Sequence, residues 1–195
     1  MKETKKDEFP LSKTRSISGS RRLVRVKVMQ ILFALEVTHE TSLDDLFNHI
    51  FYRIFNVDDN FKKKGGKLFK PDEIVEMEAD IPIKWSDEEK EFAISLLNKT
   101  INNRKLIDEL IVRFSENWDF NRIAIIDKII ISIAITEFLN FVEIPVKVSI
   151  NEAIELSKEY STEKSATFIN GLLDSVKTYL NEQGKIIKEG KGLLE

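Results

Sequence analysis

The sequence predicts an all-α fold of about seven helices. Apolar residues recur three and four positions apart through most of the chain, the signature of helices with one buried face. Only seven glycines and four prolines occur in 195 residues, too few for a turn-rich β chain. Serines followed three residues later by an acid stand before several of the apolar runs, where a helix start is capped.

Taken in order, residues 1–19 are polar and read as a flexible basic lead-in. A helix follows from Ser20 to Val37, with Val24, Val28, Ile31, Leu32 and Leu35 on its apolar face. Ser42 with Asp45 opens a second, whose face is Leu43, Leu46, Phe47, Ile50 and Ile54. Residues 56–84 contain KKKGGK, Pro71 and Pro82 and read as a long loop or insertion, with a short helix near 73–78. Ser86 and Glu89 form a capping box for a helix to about Lys99, and the segment from Ile101 to about Ser115 is a separate helix or its continuation.

From Asn121 the run NRIAIIDKIIISIAITEFLNF is apolar nearly all round, which suits a central helix; Arg122, Asp127 and Glu137 are spaced as its exposed positions. Asp127 and Lys128 interrupt it, so it is too short for a membrane span. Trp118 reads as a core anchor just before it. Ser149 and Glu152 read as the capping box of the next helix, and Ser161 as the cap of the last, with Phe168, Ile169, Leu172, Leu173 and Val176 as its stripe. Gly171 inside that helix predicts a close helix–helix approach. Residues 182–195 are charged and read as a fraying tail, leaving one helical domain over 20–181 and no convincing strand.

Composition removes most enzyme classes. Without cysteine there is no thiol nucleophile, no Cys-ligated zinc and no disulfide frame. His39 and His49 are the only histidines and neither has an obvious partner, so no catalytic constellation, metal site or cofactor is expected. The absence of a signal-like apolar run points to the cytoplasm. Net charge is −3, yet residues 1–27 hold nine basic and three acidic side chains, a +6 arm on a −9 body. That asymmetry suggests a polyanionic partner.

Two segments are candidates for contact with it. Arg21, Arg22 and Arg25, followed by Lys27, open the first helix, where the dipole already presents positive charge and each cation costs roughly 0.3–1 kcal/mol. A phosphate backbone would supply the compensating anions. From this segment alone, that reading stands level with a solvated basic terminus. Lys164 lies in the first turn of the last helix, and Phe168 one turn on would stack on a base if it faced outward; its periodicity favours the core.

Three stretches resemble one known family. SRRLVRVKVMQILFALE resembles the opening helix of the NusB transcription antitermination factors, IPVKVSINEAIELSKEYSTEKSATFINGLLDSV their C-terminal signature, and NWDFNRIAIIDKIIISIAITEFL their core helix. The Asn-Glu-Ala and Phe-x-Asn-Gly-x-Leu-Asp strings carry the specificity. The resemblance implies two packed three-helix units, no catalysis, and binding of boxA-type single-stranded RNA together with ribosomal protein NusE, within the RNA polymerase elongation complex. It implies RNA contacts at Arg21, Arg22, Arg25, Lys27, Lys164 and Phe168, NusE contacts at Phe33 and Asp127, and self-association in some members when RNA is absent. Leu23 departs from a further arginine, and Ser132 and Thr136 from an arginine and a tyrosine, which weakens the basic patch and the NusE contact. The alternatives are a protein-binding helical adaptor, or the NusB-like part of a ribosomal RNA cytosine methyltransferase.

Overall fold

The computed structural model describes residues 12–38, 42–52, 81–115 and 120–193; His39, Trp118 and most of the 56–84 segment, including the short helix expected near 73–78, lie outside them. The described residues form seven α-helices: α1 Arg21–Thr38, α2 Leu43–Leu46, α3 Asp87–Asn102, α4 Arg104–Phe114, α5 Ile125–Asn140, α6 Val146–Tyr160 and α7 Glu163–Glu182. A short parallel ladder was not foreseen. In it β1, Ile17–Ser18, pairs with β2, Ile83–Lys84, in the register Ile17 to Ile83.

The central helix is α5. Ten of its sixteen residues are buried, among them Ile129, Ile130, Ile131, Ile133 and Ile135. Burial of each isoleucine is worth about 1.5–3 kcal/mol, so this helix anchors the core. It touches α1 and α3 on one side and α6 and α7 on another, while α4 leans on α5 and α7. Its two acids depart from the expected exposure, because Asp127 and Glu137 are both buried and partnered. Position along an apolar helix does not reveal a charge when neighbours surround it on every side.

Capping was legible where it is purely local. Ser86 accepts from the Glu89 amide at 3.2 Å and the Glu89 carboxylate accepts from the Ser86 amide at 2.9 Å, a complete capping box. Elsewhere tertiary and backbone constraints prevailed. Ser42 is the N-cap of α2 but makes no side-chain cap bond, and α2 runs after one turn into a π-helical turn, Phe47–Phe51. Pro145, with φ set by its ring, is the N-cap of α6, so the helix begins at Val146 and Ser149 is buried inside it. Thr162, not Ser161, caps α7, accepting from the Ser165 amide at 3.2 Å. Gly171 faces open space, so no close helix approach explains it. Asn103 separates α3 from α4, its side chain donating to the Lys99 carbonyl at 2.8 Å and to Asn140 Oδ1 at 2.9 Å.

The segment after α7 is docked where fraying was expected. Lys188 Nζ donates to the Glu137 and Phe141 carbonyls at 2.9 and 2.8 Å, a second hydrogen bond to oxygens that also accept from the Phe141 and Ile144 amides. Burial pushes this ammonium below its ordinary pKa, and the nearby Glu137 and Glu143 oppose that shift. The Glu189 amide donates to Val142 O at 2.9 Å. A Cβ at Gly192 would stand 1.9 Å from that same carbonyl oxygen, so only glycine fits there. Among the described residues no helix is long and apolar enough to cross a membrane.

Candidate nucleic-acid interface

The start of α1 is held by the chain on either side of it. The Ile17 and Gly19 amides donate to the Pro82 and Lys84 carbonyls at 3.1 and 2.9 Å, which ties the lead-in to the segment before α3. A side chain at Gly19 would collide with Glu89 and Trp85, 2.2 and 2.7 Å from the nearest atoms. Ser20 then caps α1, its hydroxyl accepting from the Leu23 amide at 3.2 Å.

The basic residues that follow divide into two sets. Arg21 is exposed and lays its guanidinium over the Phe92 ring, 4.1 Å from the centroid. Arg22 has 46% of its side chain exposed and reaches α6, where Glu155 lies at 3.4 Å and Glu152 at 3.9 Å. Arg25 turns inward. It forms a fork with Glu137, Nε to Oε1 at 2.7 Å and Nη2 to Oε2 at 3.3 Å, with side-chain exposures of 5% and 1%. Lys27 is buried as well. The outward surface therefore carries two arginines of the three, and the third neutralises a carboxylate in the core. Sequence reading missed Glu137 as its partner, although one arginine and one glutamate, each within an apolar run, are complementary signals.

Lys164 is exposed in the first turn of α7, whereas Phe168 is half-buried and packs against the core. Arg22 is linked toward them by α6: Glu155 also pairs with Lys158 at 2.7 Å, six residues before Lys164. Asp127, expected on the partner surface, is buried. Its two oxygens accept from Ser161 at 2.6 Å and Ser165 at 2.8 Å, which fastens the start of α7 to α5. Asp127→Asn removes one of two acceptors facing buried hydroxyls and should cost about 1–3 kcal/mol in urea unfolding. An unchanged midpoint together with lost partner binding would return Asp127 to the partner surface.

Phe33 is 41% exposed on α1. Beside it, α1, α3, α4 and α5 enclose an apolar cavity of about 410 Å³ lined by Leu32, Leu35, Thr100, Ile125, Ile129 and Ser132. Arg104 stands at its rim, paired with Glu36 and with Asp108 at 3.7 Å. Burial raises the Asp108 pKa, partly offset by Arg104. Ser132 donates to the Lys128 carbonyl at 2.7 Å, and Thr136 is buried in α5.

The NusB family profile matches residues 50–178, two thirds of the chain. The transcription antitermination protein NusB of Chloroherpeton thalassium is 39% identical over 176 residues, covering 90% of this chain and 70% of that protein. This chain belongs to the NusB family. Among solved structures, T. maritima NusB superposes with a TM-score of 0.61 at 28% identity, covering 83% of this chain and 93% of that one. A crystal structure of the antitermination factors NusB and NusE in complex with double-stranded RNA shares the fold, with a TM-score of 0.53 at 15% identity, covering 82% and 96% of the two chains. NusB relatives are named as antitermination proteins. The NusB fold thus accounts for the helical order, and the buried Arg25–Glu137 pair is one of the contacts that join α1 to the core helix.

Proposed function

We propose that this chain is a non-catalytic cytoplasmic factor that binds boxA-type single-stranded RNA together with ribosomal protein NusE, supporting processive transcription of ribosomal RNA operons by the RNA polymerase elongation complex. The observation that carries this reading is the outward pair Arg21 and Arg22 at the start of α1. There the dipole of the helix adds to the field of two guanidiniums, an anion-binding arrangement. Family membership makes the anion RNA, and the solved complex of relatives with NusE and RNA supports the partner.

In this reading Arg21 and Arg22 contact phosphates, and Lys164 extends the basic track. Phe168 offers the accessible part of its ring to a base. Arg25 and Lys27 act from inside, Arg25 by positioning the first turns of α1 against α5. Phe33 and the apolar cavity beside it receive NusE, with Asp127 shaping that surface through α7. Self-association through the arginine face in the absence of RNA belongs to the same proposal.

Titration of labelled boxA RNA against a scrambled RNA, with and without NusE, tests it. The expected outcome is a preference for boxA that NusE strengthens, with an affinity that falls steeply with salt. Equal binding of both RNAs, unaffected by NusE, would leave a protein-binding adaptor as the better description.

A further inference from the structure

The free protein already holds a competitor for RNA at Arg22. Two carboxylates of α6 reach this guanidinium, Glu155 Oε2 at 3.4 Å and Glu152 Oε2 at 3.9 Å. Glu152 is shared with the interior, its Oε2 standing 3.7 Å from Arg25 Nη1 and accepting no hydrogen bond. One cation between two anions presents little positive field to an approaching phosphate. Glu155, by contrast, has two positions available. Its Oε1 accepts from Lys158 Nζ at 2.7 Å, within the range of a strong charge-assisted bond, whereas the Arg22 contact is long.

Resting on the reading of Arg22 as a phosphate contact, we propose that RNA binding at the α1 start is an anion exchange: a backbone phosphate replaces Glu155 on Arg22, and Glu155 is retained by Lys158. Glu155 gives up only its weaker pairing in the exchange, because its stronger partner lies on its own helix, three residues on. Its carboxyl is held below the ordinary range chiefly by Lys158 and secondarily by Arg22, consistent with that order of strength. Glu155 thereby sets RNA affinity without touching RNA, and Lys158 sets how readily it leaves.

Anisotropy titrations with labelled boxA RNA at fixed salt test the exchange. Glu155→Gln should bind two- to five-fold more tightly than wild type, the range of an exposed ion pair. Glu159→Gln, the same charge change at an exposed position one turn along α6, should do less. The Glu155→Gln gain should vanish in an Arg22→Ala background. Lys158→Ala should weaken binding when Glu155 is present and have no effect in Glu155→Gln, which separates a holder of Glu155 from a direct phosphate contact. Glu155→Gln equal to Glu159→Gln, or a gain that survives Arg22→Ala, overturns the exchange. Loss of affinity in Arg22→Ala with no response to Glu155→Gln overturns the exchange alone. RNA binding indifferent to Arg22 itself overturns the phosphate-contact reading and the exchange with it.

Discussion

Alanine at both Arg21 and Arg22 should weaken boxA RNA binding roughly 10- to 100-fold near physiological salt and leave the fold intact. A hydrogen bond contributes about 0.5–1.5 kcal/mol net, and two are removed. The same loss has a second signature. The slope of log affinity against log salt on a single strand should fall by about 1.4, two phosphates at ~0.7 each. Stability should change by only about 1 kcal/mol, because what is lost within the protein is an exposed cation over the Phe92 ring and long surface pairs with Glu152 and Glu155. Titrations at several salt concentrations, with circular dichroism on the same samples, read all three quantities. Unchanged affinity and slope would remove the α1 start from the interface.

Arg25→Ala should do the opposite, unfolding the protein more readily while leaving the salt slope in place. Its fork with Glu137 is almost entirely enclosed, so truncation leaves a carboxylate without its counter-charge beside the end of α5. Breaking one partner of a buried pair costs about 3–5 kcal/mol, which for a chain of this size lowers Tm by roughly 6–20 °C. Glu137→Ala should be as severe, since it leaves the enclosed Arg25 guanidinium without its counter-charge, while the backbone carbonyl that Lys188 uses is kept. Replacing both charges with apolar residues of similar volume should recover much of the loss, because the pair's desolvation disappears with it. The double variant also isolates the interface question. If it is folded and its RNA salt slope matches wild type, Arg25 positions α1; a slope reduced by about 0.7 would make Arg25 a phosphate contact after all.

The contrast between Arg22 and Arg25 marks the boundary of what local pattern conveys. Both are basic residues near one helix start, three positions apart, and α-helical geometry leaves them only about 60° apart around the axis, so local pattern does not tell them apart. Which of them meets water depends on where α5 and α6 lie, and those helices come more than a hundred residues later. The capping motifs divide in the same way. Ser86 and Glu89 cap α3 because every group involved lies within four residues and nothing competes. Ser149 and Glu152 carry the same motif, yet Pro145 starts the helix a turn earlier and turns both residues to other environments. Asp127 shows the limit most plainly: a carboxylate in the first turn of a helix favours the dipole whether it faces solvent or, as here, the hydroxyls of Ser161 before α7 and Ser165 within it.

Helical class, the order of most elements, the central position of α5 and the basic opening of α1 were legible in the order of residues, since periodicity, capping and charge runs are short-range properties. So was the family, through strings whose spacing is itself linear. The inward turn of Arg25, the docking of residues 185–193 against α5, the β1–β2 ladder and the pair of carboxylates beside Arg22 all depend on contacts across the fold. Their energies come from desolvation and from charges brought together by packing, and neither exists until the helices meet.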